Sequence, residues 1–236
     1  AWAVNRKRRA SEMKISDTIQ LLESKESEKL MTALYGKEAV RENIERYQSL
    51  IRNFQKKFPE DDVMLFSSPG RTEISGNHTD HNHGKVLAGS INLDCVGVAA
   101  KNNSRKVNII SETYNQSFEI DLDDLAPSDK KAGTIDLVKG LLKGFLEAGY
   151  EIGGFDACVT SNVISAAGVS SSASFEMLLC SIINTFFNNS TMDAVAYAHI
   201  GKFSENVYWD KASGLLDQMA CAVGGLITID LSLIHI

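Results

Sequence analysis

Between Val63 and Ala100 two apolar, strand-like runs enclose a polar stretch, and that alternation constrains the fold more than any other feature of the chain. The stretch from Phe66 to Asp94 reads FSSPGRTEISGNHTDHNHGKVLAGSINLD. Pro69, Gly70, Gly76 and Gly84 let the backbone turn sharply, while Arg71, Asn77, His78 and Asp80 supply a cation, an amide, an imidazole and a carboxylate. Such a mixture suits a small ligand with several hydroxyls, each needing a donor and an acceptor close by. Taken alone, it reads equally as a solvated surface loop.

Two later segments add weight to the ligand reading. Ser165 to Glu176, SAAGVSSSASFE, is a small-residue loop running into the helical apolar pattern Phe175, Leu178, Leu179, Ile182, Ile183 and Phe186. Backbone N–H groups and hydroxyls at the start of a helix, with the positive end of its dipole, can cradle a phosphate. Serine caps precede many helices, so this signal is weak by itself. Glu205 to Gln218, ENVYWDKASGLLDQ, brings two acids, Glu205 and Asp217, to either side of a Ser213-Gly214 turn.

Together the three segments resemble the GHMP family of small-molecule kinases and, within it, the galactokinases. The first is similar to G-R-x-N-L-I-G-E-H-T-D-Y, matched at Gly70, Arg71, Gly76, His78, Thr79 and Asp80. The second is similar to the phosphate loop P-x-G-x-G-L-S-S-S-A, matched at Gly168, Ser170, Ser171, Ser172 and Ala173. The third is similar to E-N followed by C-G-x-M-D-Q, matched at Glu205, Asn206, Gly214, Asp217 and Gln218. The chain departs from these patterns where Asn77 replaces a sugar-binding Glu, Glu73 an Asn and His81 a Tyr, and where Ile164 and Ala166 replace the Pro and first Gly of the phosphate loop.

The resemblance implies ATP-dependent phosphorylation of galactose at its anomeric hydroxyl, with ATP and Mg²⁺ as cofactors. It implies that Ala166, Ala167, Gly168, Val169, Ser170, Ser171 and Ser172 hold the nucleotide, with Ser111 a further contact. Ser172 and Glu205 are implied as Mg²⁺ ligands, oxygen donors that suit a hard cation. Asp217 is implied as the proton acceptor, with Arg71 beside it to keep it ionised and to stabilise transition-state charge. Asn77, His78, Thr79, Asp80 and Gly214 are implied to orient the sugar. Asn77 keeps open a related kinase acting on galacturonate, N-acetylgalactosamine or arabinose, and Ala166 keeps open a catalytically inactive sugar sensor. A metal-dependent hydrolase built on His78, His81 and His83 is a third reading.

Bulk properties agree with a soluble, cytoplasmic enzyme, and a small-molecule sugar partner is what the resemblance implies. With 236 residues, 44% of them hydrophobic, the chain can bury a sizeable core. A net charge of −6 gives no electrostatic footprint for nonspecific nucleic-acid binding. No run is long enough to span a membrane, and no apolar signal core follows the basic run Arg6 to Arg9. The cysteines, Cys95, Cys158, Cys180 and Cys221, form no C-x-x-C pair and read as buried reduced thiols.

The expected fold is α+β, a GHMP kinase N-terminal domain of ribosomal protein S5 domain 2-like architecture, with helices packed on a mostly antiparallel sheet. Residues 1–14 read as a disordered leader, 15–60 as a helical segment and 61–236 as the GHMP domain, the C-terminal GHMP domain being absent. Val40, Ile44, Tyr47, Ile51, Phe54 and Phe58 predict an amphipathic helix ended by Pro59. Leu93 to Lys101 and Lys106 to Ser111 predict a hairpin about Asn102-Asn103-Ser104. Helices are expected at Ile135 to Ala148, Ser171 to Phe187, Met192 to Tyr208 and Gly214 to Val223, and a strand whose apolar face would be exposed at Gly225 to Leu231.

Overall fold

The computed structural model describes residues 12–76, 84–128, 133–165, 167–211 and 213–232. The amphipathic pattern of the N-terminal segment becomes α3 (Val40–Lys57), which buries Tyr47, Leu50, Ile51 and Phe54. Phe58 leaves the helix in an extended conformation, as the residue before a proline is steered to do. Two shorter helices precede it: α1 (Ile15–Leu22) and α2 (Lys25–Tyr35), the latter capped by the Ser24 side chain accepting from the Ser27 N–H. Met13 and Lys14, expected in a leader, instead form the short strand β1 and pair with Val63 and Asp62. The rest of that leader lies outside the described residues.

The signature stretch is strand over most of its length. β2 (Asp62–Ser75) and β3 (Lys85–Lys101) pair antiparallel from Met64↔Ala99 to Ser75↔Leu87. The polar composition suggested a loop because polar residues are usually solvated, yet ladder pairing satisfies the backbone whatever the side chains are. The ladder shifts register between Pro69 and Arg71. A bulge is where a strand tolerates proline, which has no N–H to donate.

The remaining elements are β4 (Lys106–Ser111), β5 (Gln116–Asp121), α4 (Gly133–Glu147), β6 (Phe155–Ser161), α5 (Ser171–Phe187), α6 (Ala194–Phe203), α7 (Leu216–Val223) and β7 (Leu226–Asp230). A π-helical turn, Ser204–Tyr208, follows α6 directly. The strands run in the order β1-β2-β3-β6-β4-β5, with β7 pairing the first part of β3. Only the β4–β6 ladder is parallel, so the α+β expectation of a mostly antiparallel sheet holds. The expected hairpin does not form, because β6 lies between β3 and β4. Asn102 holds the wider turn: its N–H donates to Gly154 O, and its amide donates to Asp156 Oδ1 at 2.7 Å.

Helices cover both faces of the sheet, and the period-two alternation of the strands decides which residues meet which helix. Val96, Val98 and Ala100 of β3 and Cys158 of β6 pack on Leu50, Ile51 and Phe54 of α3. Cys95, Ala99, Phe155, Ala157 and Val159 point the other way, into the larger core with Leu141, Phe145, Met177 and Leu178 of α4 and α5. With both sheet faces covered, α5 is buried nearly all round, including the polar Ser174 and Glu176. Among the described residues no helix is long and apolar enough to cross a membrane.

A buried polar knot fastens the N-terminal helices to the sheet. Asp94 accepts from Arg46 Nη1 at 2.7 Å, Tyr35 Oη at 2.6 Å and Ser67 Oγ at 2.5 Å. A second guanidinium nitrogen of Arg46 donates to the Asp94 carbonyl at 2.9 Å. Burial and the neighbouring Tyr47 and Asp94 push the Tyr35 phenol far up, so it stays a neutral donor. Replacing Asp94 by alanine strands a buried guanidinium, and the expected loss is about 3–5 kcal/mol. Urea denaturation of Asp94→Ala against the parent measures it, and a loss below about 1 kcal/mol, the scale of an exposed pair, would contradict the knot.

Candidate functional site

The site gathers where β2, the loop before α5, and α7 meet. Arg71, in β2, is buried. Its guanidinium reaches one oxygen of Asp217, Oδ1, with Nε at 2.8 Å and Nη2 at 2.6 Å. Its Nη1 donates to Gly168 O at 2.5 Å, and its backbone N–H donates to Val169 O at 3.1 Å. One side chain therefore ties the strand to both the serine-rich loop and the first turn of α7. The Asp217 side chain stays about one-third exposed, so the carboxylate is paired and still open to a ligand.

The loop reaches α5 through two left-handed residues, Gly168 at φ 71° and Ser170 at φ 59°. The second is unusual for a residue with a Cβ. No side chain caps the start of α5, which leaves its first N–H groups available to an anion. Ser171 and Ser172 border a cavity of about 230 Å³ that is also lined by Ser111, Tyr114, Phe175 and Trp209. Two aromatic rings, Tyr114 and Trp209, together with Phe175 give it the mainly apolar wall of a small-molecule site. The Tyr114 hydroxyl bonds the Ser165 hydroxyl at its rim.

Beside the cavity lies a buried acidic group. The π turn, a device often found at functional sites, presents Glu205, whose Oε1 accepts from Ser172 Oγ at 3.2 Å and Lys211 Nζ at 2.6 Å. Its Oε2 accepts from Gln218 Nε2 at 3.0 Å, and the same amide nitrogen lies 3.4 Å from Glu176 Oε2. Gly201 permits this packing, since a Cβ there would stand 2.8 Å from both Gln218 Cγ and Glu176 Oε2. Burial, followed by the Glu205 charge, pushes the Glu176 carboxyl well above its ordinary value of 4.5.

The structure thus brings Arg71, Gly168, Val169, Ser170, Ser171, Ser172, Glu205 and Asp217 together, with Ser111 on the cavity wall. Ala167 lies exposed in the loop, and Gly214 lies half-buried in the turn before α7. Ser213 anchors that turn, with its N–H and hydroxyl donating to Asn206 Oδ1 at 2.9 and 3.1 Å. Asn77, His78, Thr79, Asp80 and Ala166 lie outside the described residues, as do His81 and His83. Among the described residues no cluster of three or more His, Cys, Asp or Glu could hold a metal ion.

Residues 52–101 match the family profile described as galactokinase galactose-binding signature, and residues 136–225 match that of GHMP kinases N terminal domain. The chain carries a GHMP kinase N-terminal domain. It is 34% identical over 175 residues to a galactokinase of Clostridium tetani, covering 74% of this chain and 44% of that protein. To a galactokinase of Clostridium perfringens it is 38% identical over 185 residues, covering 75% and 46%. The crystal structure of Lactococcus lactis galactokinase complexed with galactose superposes with a TM-score of 0.71 at 32% identity, over 77% of this chain and 48% of that one. A Methanococcus jannaschii mevalonate kinase, at 18% identity and a TM-score of 0.62, shares the fold. The chain spans less than half the length of these galactokinases.

Within this GHMP domain, sequence reasoning missed Lys211, Glu176 and Trp209 as parts of the site. Glu176 carried a readable signal, an acid inside the apolar run Phe175, Met177, Leu178 and Leu179. Lys211 and Trp209 carried none, since their places follow from the π turn. Glu176 Oε1 and Gln218 Oε1 have no hydrogen-bond partner, which suits a protonated Glu176. With its pKa raised on folding, Glu176 binds a proton more tightly in the native than in the unfolded state. It therefore costs stability increasingly as pH rises above the ordinary carboxylate range. In Glu176→Gln that component disappears. The fall in urea midpoint between about pH 5 and about pH 8 should be shallower than in the parent, and equal slopes would show that Glu176 is not held neutral.

Proposed function

We propose that the chain forms the nucleotide- and sugar-binding portion of a kinase that transfers the γ-phosphoryl group of ATP to the anomeric hydroxyl of galactose. The observation that carries this reading is Arg71, which bonds Asp217 and the serine-rich loop at once and so sets a proton acceptor beside a phosphate cradle. The match to the galactose-binding signature and the galactokinase relatives support the sugar. The signature residues Asn77, His78, Thr79 and Asp80, with Gly214, are proposed to orient the sugar hydroxyls.

Each step falls to a named group. The N-terminal turn of α5 and the loop Ala166 to Ser172 bind the phosphates through backbone N–H groups and hydroxyls. The wall of Ser111, Tyr114, Phe175 and Trp209 takes the base and keeps water away. Asp217 accepts the proton of the anomeric hydroxyl as its oxygen bonds to the γ-phosphorus and the bond to ADP breaks. Arg71 holds the Asp217 carboxylate in place and faces the negative charge that develops on the transferring group.

Ser172 Oγ and Glu205 Oε1 lie 3.2 Å apart, a pair of hard oxygen donors that fits Mg²⁺. When bound, Mg²⁺ neutralises phosphate charge during transfer. The buried thiols of Cys95, Cys158, Cys180 and Cys221 suit the reducing cytoplasm.

Asp217→Asn keeps the size of the side chain and removes the proton acceptor. In the full-length protein, turnover with galactose and ATP should fall by about two orders of magnitude or more, while galactose binding survives. Steady-state kinetics and calorimetric galactose binding check it. Unchanged turnover would remove Asp217 from its role.

A further inference from the structure

Lys211 folds back on Glu205 twice. Its backbone N–H donates to Glu205 O at 3.0 Å, and its Nζ lies 2.6 Å from Glu205 Oε1. Asp210, at φ 57°, makes the left-handed turn that brings it there. The two partners differ sharply in environment, for the Glu205 side chain is 1% exposed and that of Lys211 is 47%. Lys211 Nζ also stands 5.6 Å from the centroid of the Trp209 ring, which lines the cavity.

We propose that Lys211 is a built-in counter-cation that holds the divalent-cation position on Glu205 in the empty site and is displaced when the metal binds. The inference rests on the reading of Ser172 and Glu205 as the metal's ligands. A carboxylate so deeply buried needs a cation beside it. Gln218 takes Oε2, which leaves Oε1 as the oxygen for that cation, and the Ser172 hydroxyl reaches this same oxygen. An ammonium and a divalent ion cannot share one oxygen at contact distance without strong repulsion. Lys211 can yield because its stem is half in solvent and its four-carbon chain is flexible. The face of Trp209 offers the displaced ammonium a second seat through a cation–π contact. In this arrangement the pair keeps the site charge-balanced before the metal arrives and weakens the metal's hold on it.

The test is to titrate Mn²⁺ alone into the full-length protein, following free Mn²⁺ by electron paramagnetic resonance and unfolding by scanning calorimetry. Lys211→Met keeps much of the stem and removes the charge. It should lower the metal-free melting temperature by roughly several degrees and tighten Mn²⁺ binding about fivefold, whereas Lys211→Arg should resemble the parent. An arm without a variant uses the parent protein, in which saturating Mn²⁺ should raise acetylation of Lys211 by acetic anhydride several-fold, read by peptide mass spectrometry. Unchanged Mn²⁺ affinity in Lys211→Met, unchanged labelling of Lys211, or no Mn²⁺ uptake by parent and variant alike overturns the proposal. Glu205→Gln separates the two levels. If it binds Mn²⁺ as the parent does, the ligand reading is wrong and the proposal falls with it. If it loses Mn²⁺ while Lys211→Met is indifferent, only the displacement is wrong.

Discussion

Arg71 is the constraint on which the rest of the site depends. Its backbone belongs to the β2–β3 ladder, opposite Ser90, and its position is therefore fixed by the sheet rather than by a loop. From that fixed point it bonds Val169 O and Gly168 O in one direction and Asp217 in another. The backbone N–H makes the Val169 bond, and the planar, multiply donating guanidinium makes the Gly168 and Asp217 bonds at once, where an ammonium would have to choose between them. The left-handed turns at Gly168 and Ser170 carry a conformational cost, and the bonds to Arg71 are among the interactions that hold the loop against it. One residue, itself placed by the sheet, thus joins the serine-rich loop to Asp217.

The second organising fact is how the fold tolerates so many buried charges near that point. Glu176 and Glu205 would repel each other in a medium of low dielectric constant. The repulsion is relieved in two different ways. Glu205 is given partners, namely Ser172, Gln218 and Lys211. Glu176 is pushed toward its neutral form by burial and by the charge of Glu205. The two acids thereby acquire different characters although they are the same residue type, as paired carboxylates in different surroundings commonly do.

How far this was readable in the sequence varied with the kind of signal. Helix α5 runs from Ser171 to Phe187, the span its small-residue start and apolar periodicity predict, although no side chain caps it. Candidate site residues in the three motifs were legible through resemblance, and of them Arg71, Gly168, Val169 and Asp217 are joined by hydrogen bonds, as are Ser172 and Glu205. The strands were legible only in part. Gly and polar residues over Phe66 to Asp94 hid the length of β2 and β3, since a bulged ladder accepts a composition that usually marks loops. The Asn102-Asn103-Ser104 turn suggested a hairpin, but the place beside β3 is taken by β6, a strand more than fifty residues later. No local signal carries that insertion. The π turn that presents Glu205 follows α6 directly, and neither Lys211 nor Trp209 announces it.

The last strand shows the same contest between pattern and context. Gly225 to Leu231 was expected to expose an apolar face. Pairing with Lys85 to Gly89 instead turns Ile229 inward, where it and Leu231 pack with Val86, Ala88, Leu215 and Leu216. What stays outside is Leu226, 69% exposed. Ile74, from the end of β2, is also exposed, and both lie beside Gly89. The strand closes this end of the sheet by covering β3 and backing α7, the helix that carries Asp217. The apolar residues at the end of the chain therefore act on the site itself. By supporting Leu216 from below, they fix the height at which Asp217 meets Arg71.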